Sequence, residues 1–578
     1  MAHLSENVKT LELKTVKITD IRDIGIIEYD DPAVYLFRLP FGRTGDDAKN
    51  SKRHFLAIEQ LCSRLHRAST VCVLTTPADA AALVATLDKV LTLRHWVVVK
   101  TTANAYQQVE GQIPMRHAAL LLFNKDDKGI RHTTTRMSYT YCPACGKTTK
   151  DYGGKQHMFH EAGTLISDVW RDVAWNPQQG IEVISTRLKD LLGVEPYAEF
   201  IVCDLSECID LTPSGKPADR QELRAASPRR LRSRLIHGDC LEALRSIPDN
   251  SIDFCFADLP YNLKKKYYKS KDCLQTVEYF SWCDRWLREL YRVLKPRRTL
   301  AVLNIPARSA RHYQFLTSVM EFQAWIAWDA LSFPVRRIMP AHYALLCFSK
   351  GEARPLPGLA ADVNDEGEIT YLLPQDEPFC IRPRCVNNRV ALGINDRTSL
   401  SDIWHDIHRL KHNSRRVNHP CQLPPLLMRR LFALFTQEGE IILDSFDGAG
   451  TSTLVAHQMG RRYIGIEISK RYHNLALKRH RLIDEDHDPF DKKDGVPIVK
   501  NSHTQRLPKI KYLVTKKVLQ LEIKSLAGEL GRLPTREDVQ QHSQHPLEYF
   551  KEYFTSWGEV CAAARTTGMT EMPIEAIS

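Results

Sequence analysis

Carboxylates and glycines meet in one short stretch of the chain, residues 441–469. An apolar run ends at Asp444, and a turn containing Gly448 and Gly450 follows it. After a helix-like segment, a second apolar run ends at Glu467. The pattern predicts a strand, a tight turn, a helix and a second strand with an acid at its tip. Glycines let the backbone approach a ligand closely, and the acid can accept hydrogen bonds from ribose hydroxyls. We therefore expect a nucleotide-like cofactor here.

A second group of polar residues lies upstream, at residues 235–263. One apolar run ends at Asp239 and the next ends at Asp258. In an open parallel sheet, ligands bind outside the carboxyl ends of the strands, so both acids are expected to face one crevice. The second run ends in four consecutive residues that are candidates for chemistry: Asp258, Leu259, Pro260 and Tyr261.

Three motifs in this half of the chain resemble those of amino-methylating DNA methyltransferases. D-L-P-Y at 258–261 is similar to their catalytic D-P-P-Y loop, and H-P-C-Q at 419–422 is similar to a segment that precedes their cofactor loop. D-S-F-D-G-A-G-T at 444–451 is similar to their S-adenosylmethionine site. The catalytic loop comes first, which is the permuted order of the beta group, to which Type III modification subunits also belong. The resemblance spans about residues 235–480.

The resemblance implies an α/β fold, the Rossmann-like fold of S-adenosylmethionine-dependent methyltransferases, and direct methyl transfer to the amine of a flipped-out base. Asp258 and the carbonyl of Leu259 or Pro260 would accept the amine hydrogens, and Tyr261 would stack on the base. It also implies a set of cofactor-binding residues: Asp239, Asp444, Phe446, Gly448, Gly450, Thr451 and Glu467. Three residues depart from the family pattern: Leu259 for the first proline, Leu423 for a lysine, and Asp447 as an extra acid in the cofactor turn.

An aspartate at the head of the catalytic loop favours adenine N6 in this family, whereas cytosine-N4 enzymes more often carry serine. The expected function is therefore site-specific methylation of adenine N6 in double-stranded DNA. Cytosine-N4 methylation and an RNA amine as substrate remain alternatives within the enzyme class. A non-catalytic DNA-binding protein is the alternative from another class.

The first half of the chain repeats the second in pattern and in letters. HAALLLFNK at 117–125 matches HYALLCFSK at 342–350, and SDVWRDV at 167–173 matches SDIWHDI at 401–407. We interpret this repeat as two copies of one fold.

The two copies differ where chemistry is expected. Arg38 takes the place of Asp258, Phe41 takes the place of Tyr261, and no glycine turn follows Asp204. The first copy is therefore predicted to keep the scaffold and to lack the site. We expect either an internal pseudo-dimer or a homodimer, in which one half methylates and the other holds DNA.

The predicted domain boundaries follow from this repeat and from two polar linkers. They are a degenerate methyltransferase-like domain (1–212), a basic linker (213–234), a catalytic domain (235–483) with a target-recognition insert at about 350–419, a second linker (484–508) and a helical domain (509–578). The helical domain resembles the small repeat appended to homing endonucleases, which is thought to bind DNA. The alternative for this domain is a packing or oligomerisation module.

A C-x2-C pair and an H-x2-H pair lie close together in the first half, at Cys142, Cys145, His157 and His160. Four nitrogen and sulfur ligands at this spacing suit tetrahedral zinc, so the sequence predicts a structural zinc site here. The alternative is two free cysteines and two surface histidines.

Bulk composition agrees with a cytoplasmic protein that binds a polyanion. The chain has 578 residues and a net charge of +11, and its hydrophobic content of 43% and charged content of 26% are ordinary for a globular protein. Its 15 cysteines are scattered, and no signal peptide or bilayer-length apolar run is visible. We expect a bacterial or archaeal cytosol, association with the nucleoid and no membrane partner. A restriction nuclease or another defence protein is a candidate partner.

Overall fold

The computed structural model describes residues 12–17, 31–41, 48–206, 231–260, 266–330, 338–356, 372–410, 422–490 and 516–562. Gaps inside these ranges fall at 103–104, 107–108, 110, 126–128, 131, 143–144, 150–159, 161, 194–196, 198, 268–269, 272–273, 375–379, 381, 394–396, 408 and 555. Several features predicted above lie outside the described residues: Tyr261, His157, His419 and most of the two linkers.

The first half of the described chain is a mixed sheet flanked by helices. Its strands are β1 (Glu12–Lys17), β2 (Ala33–Arg38), β3 (Thr70–Thr75), β4 (Thr92–Thr101), β5 (His117–Asn124), β6 (Arg136–Met137), β7 (Thr164–Leu165), β8 (Val169–Trp175) and β9 (Glu199–Asp204). Its helices are α1 (Ala48–Arg64), α2 (Pro77–Leu87) and α3 (Glu182–Leu192). The central strands β2, β3 and β5 are buried along their whole length, as expected for a sheet covered on both faces.

The second half follows the same plan. Its strands are β10 (Arg234–His237), β11 (Ile252–Asp258), β12 (Lys266–Tyr267), β13 (Ser270–Lys271), β14 (Leu294–Asn304), β15 (Glu321–Asp329), β16 (His342–Ser349), β17 (Leu372–Pro374), β18 (Arg397–Ser399), β19 (Ile403–Trp404), β20 (Ile441–Asp444) and β21 (Arg462–Glu467). Its helices are α4 (Cys240–Arg245), α5 (Thr276–Val293), α6 (Pro306–Thr317), α7 (Pro383–Ala391), α8 (Pro425–Phe435), α9 (Thr451–Gln458) and α10 (Lys470–Asp484).

The two large sheets have the same strand order over six positions. The first sheet runs β9-β2-β3-β5-β4-β8 and the second runs β20-β11-β14-β16-β15-β19. Parallel and antiparallel pairs also fall at the same steps, because the fourth strand of each series is antiparallel to both of its neighbours. The series differ at the outer edge, where β1 pairs with β9 in the first sheet and β21, followed by β10, pairs with β20 in the second. The repeated letters therefore lie on strands that occupy matching positions.

The two halves meet through contacts that come in exchanged pairs. His117 Nδ1 lies 2.8 Å from Asp402 Oδ2, and His342 Nδ1 lies 3.0 Å from Asp168 Oδ2. The repeat aligns the two histidines with each other and the two aspartates with each other, so each half supplies one of each. This reciprocity is the pattern of an isologous interface, here between two halves of one chain.

Hydrogen bonds from backbone amides to the same two aspartates, and the stacking of two tryptophan rings, are exchanged between the halves in the same way. Arg116 N donates to Asp402 Oδ1 at 2.8 Å, and Ala341 N donates to Asp168 Oδ1 at 2.8 Å. Each donor immediately precedes the matching histidine of its own half. The Trp96 and Trp325 rings, at matching positions of β4 and β15, stack with their centroids 4.4 Å apart. One hydrophobic core cluster accordingly contains residues of both halves.

The C-terminal helices form a separate compact unit with its own small core. They are α11 (Lys516–Leu530), α12 (Arg536–His542), α13 (Leu547–Tyr553) and α14 (Trp557–Ala562). Thr535 caps α12, since Asp538 N donates to its Oγ1 at 3.2 Å and the Asp538 carboxylate accepts from Thr535 N at 2.7 Å. Thr535 and Asp538 thus form a reciprocal capping box.

None of the helices in the described part of the chain is long and apolar enough to cross a membrane.

Candidate cofactor and catalytic site

The predicted site residues converge because their strands are neighbours in the second sheet. Asp444 pairs with Phe256 of β11 on one side and with Gly465 of β21 on the other. All three strands are parallel, so Asp258 and Glu467 follow at the same carboxyl edge as Asp444. The edge therefore carries the acids that the sequence placed there.

Two carboxylates hold the turn that follows β20. Asp444 Oδ1 accepts from Phe446 N at 2.8 Å, and Asp444 Oδ2 accepts a hydrogen bond from Ser452 Oγ at the start of α9. Glu467 Oε2 accepts from Gly448 N at 2.9 Å, and its Oε1 accepts from Ser469 N at 2.7 Å. Both acids fix the turn as well as lining it.

The glycines of this turn are required by the backbone. Gly448 has φ of 55° and Gly450 has φ of 86°, in the left-handed region that disfavours side chains. A Cβ at Gly450 would also lie 2.9 Å from Ala476 Cβ on α10. Thr451 then begins α9 and is buried. The turn brings backbone and helix terminus together at close range, which is the geometry of a nucleotide cradle.

Burial favours the protonated, neutral form of the acids in this turn. It raises the pKa of Asp444 to about 6 and also raises the pKa of Glu467. The pKa of Asp447 is raised well above its ordinary value by burial and then by the charge of Asp444. Asp447 accepts a hydrogen bond from Thr453 Oγ1 at 2.9 Å beneath the turn. The extra acid noted in the sequence is therefore a buried group of the turn itself.

The turn offers both polar and apolar surfaces to a cofactor. The hydroxyls of Ser445 and Ser469 are buried and make no hydrogen bond within the described part of the chain. Phe446 contacts Trp282 and Trp286, with ring centroids 5.8 Å and 5.3 Å apart. The rings pack Phe446 against the hydrophobic core, and the two unpaired hydroxyls are available to the polar groups of a cofactor such as S-adenosylmethionine.

The candidate catalytic loop begins where β11 ends. Asp258 is half-buried and Leu259 is buried, with 2% of its surface exposed. The carbonyl of Pro260 accepts a hydrogen bond from Tyr279 Oη at 2.9 Å, and Asn304 Nδ2 donates to the same Oη at 3.4 Å. Tyr279, which the motifs did not identify, thus holds the loop from α5.

Asp239 has a structural contact as well as the predicted position. It caps α4, because its Oδ1 accepts from Leu241 N at 2.8 Å and from Glu242 N at 3.3 Å. It follows β10, whose His237 pairs with Glu467. Asp239 and Glu467 therefore lie at the ends of adjacent strands.

The matching edge of the first sheet is filled by a cation. Arg38 Nη1 lies 3.2 Å from Asp204 Oδ2, and Arg38 Nη2 donates to the carbonyl of Pro177. The guanidinium also lies 5.8 Å from the centre of the Trp175 ring. Asp204 ends β9 as Asp444 ends β20, and no glycine turn follows it. At this edge the first sheet therefore carries a salt bridge, and the loss of a site from the first copy stays a prediction.

The predicted zinc ligands are placed differently from the expectation. Cys142 and Cys145 lie beside Cys380 and Cys385 of the second half, and their four sulfurs are within 4.8 Å of one another. His160 is exposed, and its Nδ1 accepts from Ala162 N at 3.1 Å. Local spacing suggested the histidines, whereas folding brings together cysteines far apart in the chain.

Parallel strands that end in acids beside a glycine turn are typical of nucleotide-binding α/β folds. A family model described as DNA methylase matches residues 252–478, and one described as homing endonuclease associated repeat matches residues 514–564. The chain belongs to the DNA methylase family, since it is 30% identical to the Type II methyltransferase M.HpaI of Haemophilus parainfluenzae over 77% of that protein. This match covers 45% of the present chain.

Other relatives match a similar share of the chain. The Type II methyltransferase M.BamHI of Bacillus amyloliquefaciens is 32% identical over 44% of this chain, which spans 58% of the length of that relative. The DNA adenine methyltransferase YhdJ of Escherichia coli K12 is 26% identical over 42% of this chain and 81% of its own length.

Solved structures also match part of the chain. TTHA0409 from Thermus thermophilus, complexed with S-adenosyl-L-methionine, is 22% identical over 43% of this chain and 94% of that one, with a TM-score of 0.29. The cytosine-N4-specific PvuII DNA methyltransferase is 20% identical over 43% of this chain and 86% of that one, also with a TM-score of 0.29.

Proposed function

We propose that this protein transfers a methyl group from S-adenosylmethionine to adenine N6 in double-stranded DNA. The observation that carries the proposal is the adjacency of Asp258 to the turn between Asp444 and Gly450, on neighbouring parallel strands. Membership of the DNA methylase family supports DNA as substrate. The aspartate at the head of the loop and the similarity to an adenine methyltransferase favour adenine.

The residues of the loop act on the target amine, whose lone pair is delocalised into the base. Asp258 and the carbonyl of Leu259 accept hydrogen bonds from the two N–H groups of the amine. These hydrogen bonds free the lone pair of the amine nitrogen for attack. The carbonyl of Pro260 is already engaged by Tyr279, so Leu259 is the better acceptor of the two. Tyr261 stacks on the base once it has left the duplex. Bound S-adenosylmethionine supplies the electrophilic methyl group.

The cofactor residues act by position. Glu467 accepts hydrogen bonds from the ribose hydroxyls, because its two contacts with backbone amides leave lone pairs available. Asp239, at the end of the neighbouring strand, accepts a hydrogen bond from the adenine amine of the cofactor. Gly448 and Gly450 allow the methionine portion to approach the backbone beside Asp444. These assignments agree with the convergence of the four strand ends.

The first half serves as the non-catalytic partner in this proposal. A salt bridge from Arg38 to Asp204 fills its matching edge, so it holds the scaffold and contributes to DNA contact without methylating. The reciprocal contacts between the halves support an internal pseudo-dimer over a homodimer. The C-terminal helical unit, as a homing endonuclease associated repeat, is proposed to bind DNA.

The test is methyl transfer in vitro with nucleoside analysis. Purified protein is incubated with S-adenosylmethionine and unmodified genomic DNA, and the digested product is examined by mass spectrometry. N6-methyl-2′-deoxyadenosine is expected from the wild type and not from Asp258→Ala. N4-methylcytosine would overturn the choice of base, and no DNA product with S-adenosylmethionine still bound would overturn DNA as substrate.

A further inference from the structure

Four cysteines from the two halves of the chain converge on one point. Cys142 Sγ lies 3.4 Å from Cys385 Sγ, and Cys145 Sγ lies 3.6 Å from Cys380 Sγ. All four sulfurs are within 4.8 Å of one another, and all but Cys145 are buried. Together they are called the four-cysteine cluster.

The distances in the four-cysteine cluster suit a shared metal better than disulfides. Sulfurs in a disulfide are about 2.05 Å apart. Four thiolates bound to one zinc at about 2.3 Å in a tetrahedron lie about 3.8 Å from one another. The observed sulfur separations lie in the second range, and none of the four cysteines forms a disulfide.

The backbone presents the first pair of thiols in a tight turn. Gly146 N donates to the carbonyl of Cys142 at 2.8 Å, and Cys142 N donates to the carbonyl of Lys147 at 2.8 Å. Gly146 has φ of 63°, which favours glycine at this position. The turn directs Cys142 and Cys145 to the same side, as two ligands of one ion require.

A buried arginine holds the second pair. Arg389 of α7 is 0% exposed, and it donates from Nη1 to Cys385 Sγ at 3.0 Å and from Nη2 to the carbonyl of Cys380 at 2.8 Å. A buried guanidinium requires negative charge nearby. Four thiolates around one divalent zinc carry a formal double negative charge, which this arginine would partly balance.

We propose that Cys142, Cys145, Cys380 and Cys385 bind one structural zinc ion that joins the two halves. Four protein ligands leave no open position, so the ion is structural and takes no part in methyl transfer. The ion attaches the segment that contains α7, between β16 and β19, to the first half. That segment belongs to the predicted target-recognition insert, so under the proposed function the zinc positions recognition residues against the non-catalytic half.

The experiment measures metal in the full-length protein. The protein is produced in zinc-supplemented medium, purified without chelator under reducing conditions, and analysed by inductively coupled plasma mass spectrometry. One zinc per chain is expected in the wild type, with loss of zinc in Cys142→Ser and in Cys385→Ser. His160→Ala is the matched control and is expected to keep its zinc, because His160 lies outside the four-cysteine cluster.

A second measurement covers the case in which the serine variants do not fold. Wild-type protein reconstituted with Co²⁺ is expected to show the absorption of a tetrahedral four-thiolate site. Zinc absent from the wild type, zinc kept by both serine variants, or zinc lost in His160→Ala would each overturn the proposal. Spectra of a mixed sulfur and nitrogen site would overturn the ligand set. The metal readout is independent of methyl transfer, so failure here leaves the proposed function untouched.

Discussion

The two large sheets share six strand positions, and they differ at the carboxyl edge, where the second sheet carries the candidate site. In the second sheet, Asp258 and Asp444 border a turn with two left-handed glycines. In the first sheet, Arg38 occupies the position of Asp258 and forms a salt bridge with Asp204, the last residue of β9. Two sheets with the same strand order therefore carry different groups at this edge, a partly buried salt bridge in the first and the candidate site in the second.

Loss of the candidate catalytic carboxylate in the second half is expected to change activity most strongly. Asp258→Ala removes the carboxylate that accepts an amine hydrogen in the transition state, so kcat is expected to fall by about 100-fold or more. The dissociation constant for S-adenosylmethionine is expected to stay nearly unchanged. Steady-state kinetics and isothermal titration calorimetry measure the two quantities.

The control for that experiment lies in the first sheet. Arg38→Ala, assayed at a temperature where circular dichroism shows it folded, is expected to keep its kcat. A comparable loss of kcat in Arg38→Ala would contradict the division between an active and an inactive half.

The next effect concerns cofactor affinity. Glu467→Ala removes the acid at the tip of β21, which leaves ribose hydroxyls and the amide of Gly448 without an acceptor. A loss of about 1–3 kcal/mol is expected, and each 1.4 kcal/mol weakens binding tenfold. Asp204→Ala at the edge of the first sheet is expected to leave the affinity for S-adenosylmethionine unchanged. Titration calorimetry that finds equal losses in both variants would place cofactor contact in both halves.

A smaller effect is expected on folding. Arg38→Ala removes the partner of Asp204 and the donor to Pro177, and it is expected to lower the free energy of unfolding by about 1–3 kcal/mol. Urea denaturation measures this change. An unchanged midpoint would mean that the salt bridge contributes nothing to the stability of the first half.

An effect of similar size is a pH dependence of folding that arises from the second half. Burial raises the pKa of Asp444 from 3.8 in the unfolded chain to about 6, so the folded state holds this proton more tightly. The associated stabilisation is full below pH 3.8 and is lost as the pH rises through about 6. Asp444→Asn cannot titrate, so its free energy of unfolding is expected to fall less over that range than that of the wild type. Denaturant titrations between about pH 4 and 7 compare the two proteins, and parallel curves would contradict the assignment.

Sequence patterns predicted much of the scaffold, because they depend on local periodicity. The apolar run predicted to end at Asp258 is β11, which ends at that residue, whereas β10 ends at His237, two residues before Asp239. The strand β1 was not predicted, since Glu12–Lys17 is largely polar and its place in the sheet depends on pairing with β9. Long-range pairing is invisible to a pattern that covers a few residues.

The parts of the candidate site whose residues are close together in the sequence could be predicted. The turn after Asp444 and the acid at Glu467 lie where the βαβ pattern predicts them. The salt bridge between Arg38 and Asp204 and the meeting of Cys142 with Cys385 join residues 166 and 243 positions apart. Residue spacing along the chain cannot reveal such contacts. For that reason it led to the prediction of histidine ligands for zinc near the first cysteine pair.

The most direct test of the account is the modification pattern of DNA in cells. Genomic DNA from cells that express the wild type, Asp258→Ala or Arg38→Ala is examined by single-molecule sequencing that detects modified bases. N6-methyladenine at one short motif is expected with the wild type and with Arg38→Ala, and its absence is expected with Asp258→Ala. Modification that survives in Asp258→Ala, or N4-methylcytosine in place of N6-methyladenine, would contradict the account.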